Sequence, residues 1–131
     1  MLRNQLQKYL QGIETEIIGL TDLYVEKYVE EILTDTRVNL RIRLRSSSGY
    51  LLEMHEAICV SPDEVLEYLD YRYHFQDSQN QLIFRYDSTP HFPDLSSFPH
   101  HKHLKDRVIA CSKPTIETII HEVTAFLDNL A

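Results

Sequence analysis

From Arg37 to Arg45 the chain alternates without a break: Val38, Leu40, Ile42 and Leu44 on one side, Arg37, Asn39, Arg41, Arg43 and Arg45 on the other. A period of two means a strand, and the apolar/cationic split means one face on a core and one in solvent. Such a strand demands antiparallel neighbours and a covering layer, which restricts the fold more than any other segment here. Ser46-Ser47-Ser48-Gly49 supplies a turn, with Gly49 suited to the left-handed position of a three-residue hairpin loop. That loop sets Ser46 against Tyr50, Leu44 against Leu52, Arg43 against Glu53 and Arg41 against His55. It also puts Glu56 on the apolar side, opposite Leu40. A carboxylate there needs a partner or its proton, unless it lies at a solvated end of the sheet.

A second hairpin reads from Val65–Gln76 and Gln81–Asp87. Leu69, Tyr71, Tyr73 and Phe75 form one face of its first strand, and Asp70, Arg72, His74 and Gln76 the other. In its second strand Leu82, Phe84 and Tyr86 oppose Ile83, Arg85 and Asp87. A loop of Asp77-Ser78-Gln79-Asn80 pairs Phe75 with Leu82, Tyr73 with Phe84 and Tyr71 with Tyr86, which satisfies every apolar position. The same register predicts two like-charged cross-strand pairs, Arg72 with Arg85 and Asp70 with Asp87, an arrangement sheets avoid unless a ligand relieves it.

The ends are helical in period. Leu2, Leu6, Tyr9, Leu10, Ile13, Ile17 and Leu20 mark an amphipathic first helix, and Ile116, Ile119, Ile120, Val123, Leu127 and Leu130 a last one that starts near Ser112 and Pro114. Leu23, Val25, Val29 and Leu33 alternate imperfectly, as a further strand. Arg107–Cys111 reads either as a short strand or as the approach to the last helix. The expectation is an α+β fold in one domain over residues 1–131. It is an antiparallel meander of four or five strands, with the terminal helices on one face and a Pro/His-rich loop near the other. With 43% hydrophobic and 25% charged residues in 131, the chain has enough core to fold without a staple. Cys59 and Cys111 have no metal-finger spacing and suit a reducing cytoplasm. The opening Met1–Lys8 lacks the apolar centre of a signal peptide, and no apolar run suggests a membrane partner. A net charge of −7 argues against broad nucleic-acid coating but leaves room for a local basic site.

Four of the seven histidines, His91, His100, His101 and His103, fall in one window with Pro90, Pro93 and Pro99. Imidazoles on a stiff, extended loop offer proton transfer, metal ligation or anion contact near neutral pH. The loop starts right after Asp87, so it is placed to fold back over the polar sheet face. That face carries Arg41, Arg43, His55, Asp70, Arg72, His74, Arg85 and Asp87. Guanidinium forks grip phosphate oxygens, and an imidazole or carboxylate removes the proton of a ribose 2′-hydroxyl. Lys102 or an arginine would then stabilise the charge that builds on the phosphorane, with no cofactor required. Metal binding is a second use: in an extended chain His101 and His103 point to one side and His100 to the other, and His91 or Asp87 would complete three ligands. A third reading is structural. The charges neutralise one another in solvent while Phe92 and Phe98 plug the loop onto the domain, or else stack on the bases of a single strand.

Asp70-Tyr-Arg-Tyr-His-Phe-Gln-Asp77, Leu82-Ile-Phe-Arg-Tyr-Asp87, Pro90-His-Phe-Pro93 and Ser97-Phe-Pro-His-His-Lys-His103 resemble the TumE-like family of small bacterial proteins. The resemblance is strongest over residues 68–104 and extends more loosely to the arginine-rich strand, Glu56 and the last helix. It implies the toxin half of a type II toxin–antitoxin pair, with a helix-turn-helix antitoxin as partner. One departure is Phe92, where many relatives carry a second histidine; His91 is then the better candidate of that pair. Two functions follow. In one, the chain is a cytoplasmic, metal-independent ribonuclease: His91, His101, His103, Lys102, Arg85 and Asp87 do the chemistry, while Arg72, His74, Arg41, Arg43 and His100 hold substrate. In the other, it is a non-catalytic module that docks a protein or nucleic acid through the same Arg/His face. An exposed strand edge would also let two copies pair as a homodimer.

Overall fold

A computed structural model describes residues 2–130. The elements run α1 (Asn4–Ile18), β1 (Leu23–Thr34), β2 (Arg37–Ser46), β3 (Leu51–Val60), β4 (Leu66–Gln76), β5 (Leu82–Asp87), β6 (His101–Leu104), β7 (Val108–Ala110) and α2 (Ile116–Asp128). The strands form one antiparallel sheet in chain order, β1 to β7, the arrangement that short connections between successive strands favour. Both helices lie on the same face. α1 buries Leu6, Leu10, Ile13 and Ile17, α2 buries Ile116, Ile119, Ile120 and Val123, and they meet the inward residues of β2, β3 and β4 in a single core. α2 begins at Ile116, just after Pro114, with Thr115 as N-cap in a reciprocal capping box with Thr118.

The α+β class holds, but the sheet has seven strands where the sequence suggests four or five. The extra strands come from β6 and β7, which turn the end of the histidine segment into sheet. The loop proper is confined to residues 88–100. The β2–β3 register is as the alternation predicts, with Gly49 at φ 91° in the turn. Glu56 is fully buried opposite Leu40, not at a solvated sheet end.

The β4–β5 register differs from the expected one, and the like-charged pairs disappear. Phe75 faces Phe84, His74 faces Arg85, Tyr73 faces Tyr86 and Arg72 faces Asp87. Two local features cause the change. The Asp77 carboxylate accepts from the backbone N–H of Gln79 and Gln81, and Asn80 takes φ 64°, which tightens the turn to three residues. A bulge then follows on β5, so Gln76 faces Leu82 and Phe75 faces Phe84, and Ile83 turns to pack against the core. Together these shift the pairing by two residues, an even number, so the faces of the remaining residues are unchanged. Asp70 lies opposite Ala57, beyond the end of β5, and is exposed.

Candidate functional site

Because side chains alternate along each strand, the face away from the helices carries cross-strand rows of polar residues. One row runs Lys27, Arg43, Glu53, His74, Arg85, His103; the next runs Val29, Arg41, His55, Arg72, Asp87, His101. Neighbours within a row sit about 4.8 Å apart, the inter-strand spacing. Towards β1 the charges cancel: Glu26 binds Arg43 at 3.0 Å and Arg45 at 2.7 Å. Among the described residues, Arg41, Arg72 and Arg85 have no carboxylate at salt-bridge distance. Arg41, Arg43, His55, Arg72 and His74 line a shallow depression of about 270 Å³. His74 is neutral in its hydrogen bonding: Nδ1 accepts from Arg85 Nε at 3.2 Å, which leaves Nε2–H to donate to Gln76 at 2.8 Å. Burial lowers its proton affinity below that of a free imidazole, and Arg85 and Arg72 push the same way against the Gln76 bond.

At the β5–β6 end the rows close into a buried cluster. Asp87 Oδ1 lies 2.8 Å from His101 Nε2, Asp87 Oδ2 lies 3.6 Å from His103 Nε2, and the two Nε2 atoms are 3.1 Å apart. His101 is 1% exposed and Asp87 5%. His101 Nδ1 donates to the Pro99 carbonyl at 2.9 Å, which turns Nε2 toward the other two groups. Two carboxylate oxygens and two ring nitrogens converge there, and a carboxylate oxygen at 2.8 Å from a bare imidazole nitrogen would be repulsive. At least one proton, or another cation, must sit among them. Desolvation lowers the proton affinity of His103 below the usual imidazole range, against the pull of Asp87, while His101, Arg85 and His91 lower it further. Phe92 closes the cluster from outside, its ring 5.0 Å from His101 and 5.7 Å from His103. His91, beside it, is exposed. Phe92 thus anchors the loop, whereas Phe98 is 45% exposed.

The fold separates Lys102 and His100 from this cluster. A period of two turns Lys102 to the helix side of β6, where Nζ binds Glu122 at 2.8 Å and lies over the rings of Phe84 and Tyr86. His100 stacks on Tyr71 and its Nδ1 meets the tyrosine hydroxyl at 2.8 Å. The sequence-derived set is therefore split: Asp87, His101 and His103 are in contact, Arg85, Arg72, His74, Arg41 and Arg43 share their face, and Lys102 and His100 point away.

The opposite face holds a polar group that the sequence signals only through Glu56. Its carboxylate accepts from the hydroxyls of Tyr9 and Tyr73, and Lys113 Nζ is 3.7 Å away, over the Tyr68 ring at 3.8 Å. Burial, then the charge of Glu56, keeps the protons of Tyr9 and Tyr73 far above the ordinary phenol range; desolvation lowers the proton affinity of Lys113.

Residues 13–130 match the family model described as Toxin TumE. No curated protein and no solved structure matches the chain. Among the described residues no helix is long and apolar enough to cross a membrane.

Proposed function

Since the chain belongs to the TumE toxin family, and so to proteins that work against an antitoxin, we propose that it is a cytoplasmic, metal-independent ribonuclease. In this reading a helix-turn-helix antitoxin holds it inactive by covering the Arg/His face. The observation that carries the reading is the convergence of Asp87, His101 and His103 at 2.8–3.6 Å beside Arg72 and Arg85, which among the described residues have no carboxylate at salt-bridge distance. His103, with its low proton affinity, takes the proton of a ribose 2′-hydroxyl as it attacks the adjacent phosphorus. Asp87 and His101 orient it and spread the acquired positive charge through their hydrogen bonds. Arg85 faces His103 on the adjacent strand and Arg72 faces Asp87 from the other side, where forked donors meet the developing charge on phosphate oxygens. Arg41, Arg43 and His74 hold the phosphates of the strand that leads away, in the depression between them. His91, exposed on the loop, returns a proton to the leaving 5′-oxygen. Lys102 and His100 have no part in this scheme, since both face the helix side.

The test is purified protein with a single-stranded RNA in the presence of a chelator. Cleavage that leaves cyclic phosphate ends, and that is lost in His103→Ala, supports the proposal. Intact RNA, with growth arrest on expression of both wild type and His103→Ala, overturns it. That result would favour a non-catalytic module docking through the same face.

A further inference from the structure

The triangle of Asp87, His101 and His103 has a second property that proton transfer does not require: its dimensions are those of a metal site. Around a four-coordinate zinc ion with bonds of about 2.0–2.1 Å, neighbouring ligand atoms are about 3.3 Å apart. Here the two Nε2 atoms are 3.1 Å apart, Asp87 Oδ1 is 2.8 Å from that of His101 and Asp87 Oδ2 is 3.6 Å from that of His103; one ligand atom from each residue lies within 4.8 Å of the other two, so small side-chain shifts would seat an ion. The donor types also fit, since two imidazoles and one carboxylate form a set that borderline divalent metals accept. Both imidazoles present Nε2. In His101 this is enforced by the Nδ1–H bond to the Pro99 carbonyl, the outer contact that fixes tautomer and ring angle in metal-bound histidines. The carboxylate is likewise held, since Asp87 Oδ1 accepts from the Thr89 N–H at 3.1 Å. The ligands lie on two adjacent strands, which spares the ordering cost of bringing loop side chains together. Phe92 supplies an apolar wall on the outer side.

We propose that Asp87, His101 and His103 bind one divalent transition-metal ion of the zinc class, which takes the place of the proton held among them. The ion occupies the lone pairs that the ribonuclease scheme needs, so it acts as an off-switch for that chemistry. The inhibitory role rests on the ribonuclease reading; the metal site does not.

The test reads binding without RNA. The full chain, stripped with a chelator and exchanged into chelator-free buffer, is titrated with Zn²⁺ by calorimetry and with Co²⁺ by visible absorption. About one ion per chain is expected, with the ligand-field bands of cobalt in a four- or five-coordinate nitrogen/oxygen site. Affinity should fall at least about tenfold in Asp87→Asn, a change of nearly equal shape, and in His103→Ala. His121→Ala, on the exposed side of α2, should bind as wild type does. Circular dichroism of each variant separates a lost ligand from a lost fold. No stoichiometric binding by the wild type, or equal binding by a folded Asp87→Asn, overturns the proposal. A chain that binds Zn²⁺ but leaves RNA intact keeps the metal site and loses the nuclease; one that cuts RNA and ignores Zn²⁺ does the reverse.

Discussion

Each face of the sheet buries one carboxylate, and the two are answered differently. Glu56, on the helix side, is enclosed by two tyrosines and a lysine; Asp87, on the open side, is met by two imidazoles. The tyrosines hold their protons far above neutral pH, so neither hydroxyl against Glu56 gives up a proton in the cell. The Asp87 group contains imidazoles at the sheet face, one of them with its proton affinity lowered. A buried carboxylate is therefore no sign of chemistry by itself. Its donors decide whether it is a fixed strut or a place where a proton or a metal exchanges.

The widest separation between the two groups should come from removing one member of each. His103→Ala is expected to reduce RNA cleavage by about 10²–10⁴-fold while the thermal midpoint moves little, since the ring is partly exposed. Glu56→Ala should do the opposite. It leaves two buried hydroxyls and a lysine without their acceptor, at a cost of about 3–5 kcal/mol, with any loss of cleavage following the folded fraction. Paired denaturant curves and cleavage rates check both. If Glu56→Ala abolishes cleavage at full stability, the distinction drawn between the two carboxylates fails.

The Glu56 group can also be probed one bond at a time and by pH. Tyr73→Phe removes a single donor and should cost about 1–3 kcal/mol. Tyr9 and Tyr73 keep their protons in the folded chain but lose them near pH 10 when unfolded. The folded state then binds more protons, so stability falls as the pH rises above about 10. Lys113, whose proton affinity burial lowers, acts against this by losing its proton earlier in the folded chain. Above about pH 10.5 the lysine is neutral in both states and its offset ends, so each of the two tyrosines adds up to about 1.4 kcal/mol per pH unit to the fall. Urea titrations between pH 8 and 11 should show this slope in wild type and a shallower one in Tyr73→Phe. An unchanged slope would mean that Tyr73 does not hold its proton through Glu56.

How much of this was legible in the sequence depends on local contrast. The β2–β3 hairpin was readable residue by residue, because strict alternation and one glycine leave a single register. The β4–β5 faces were readable but their register was not, because a tight turn and a bulge shift the pairing by two and leave the pattern of faces nearly intact. β6 was hidden. His-Lys-His-Leu has no apolar alternation, and it becomes a strand because β5 offers a free edge. Asp87, His101 and His103 could be named as candidates, yet only the pairing of Asp87 with His101 puts them in contact. Glu56 was visible as an anomaly on an apolar face, but Tyr9 and Lys113 come from distant elements and carry no sequence signal.

The smallest expected effect tests the residue that the sequence reading groups with the histidines and the fold takes away. Lys102 lies between His101 and His103 in the chain, so composition alone assigns it to their chemistry. Strand geometry turns it to the other face, where Glu122 also accepts from the Tyr86 hydroxyl at 2.7 Å. There it ties α2 to the sheet, and its stem covers aromatic surface. Lys102→Met keeps most of that cover and loses the half-buried ion pair, a change of about 0.5–1.5 kcal/mol. Cleavage per folded molecule should stay at the wild-type level, while Arg85→Met, on the histidine side, should lower it. Equal losses from the two would mean that the β6 side chains do not divide as the strand requires, and the contrast between the sheet's two faces would go with them.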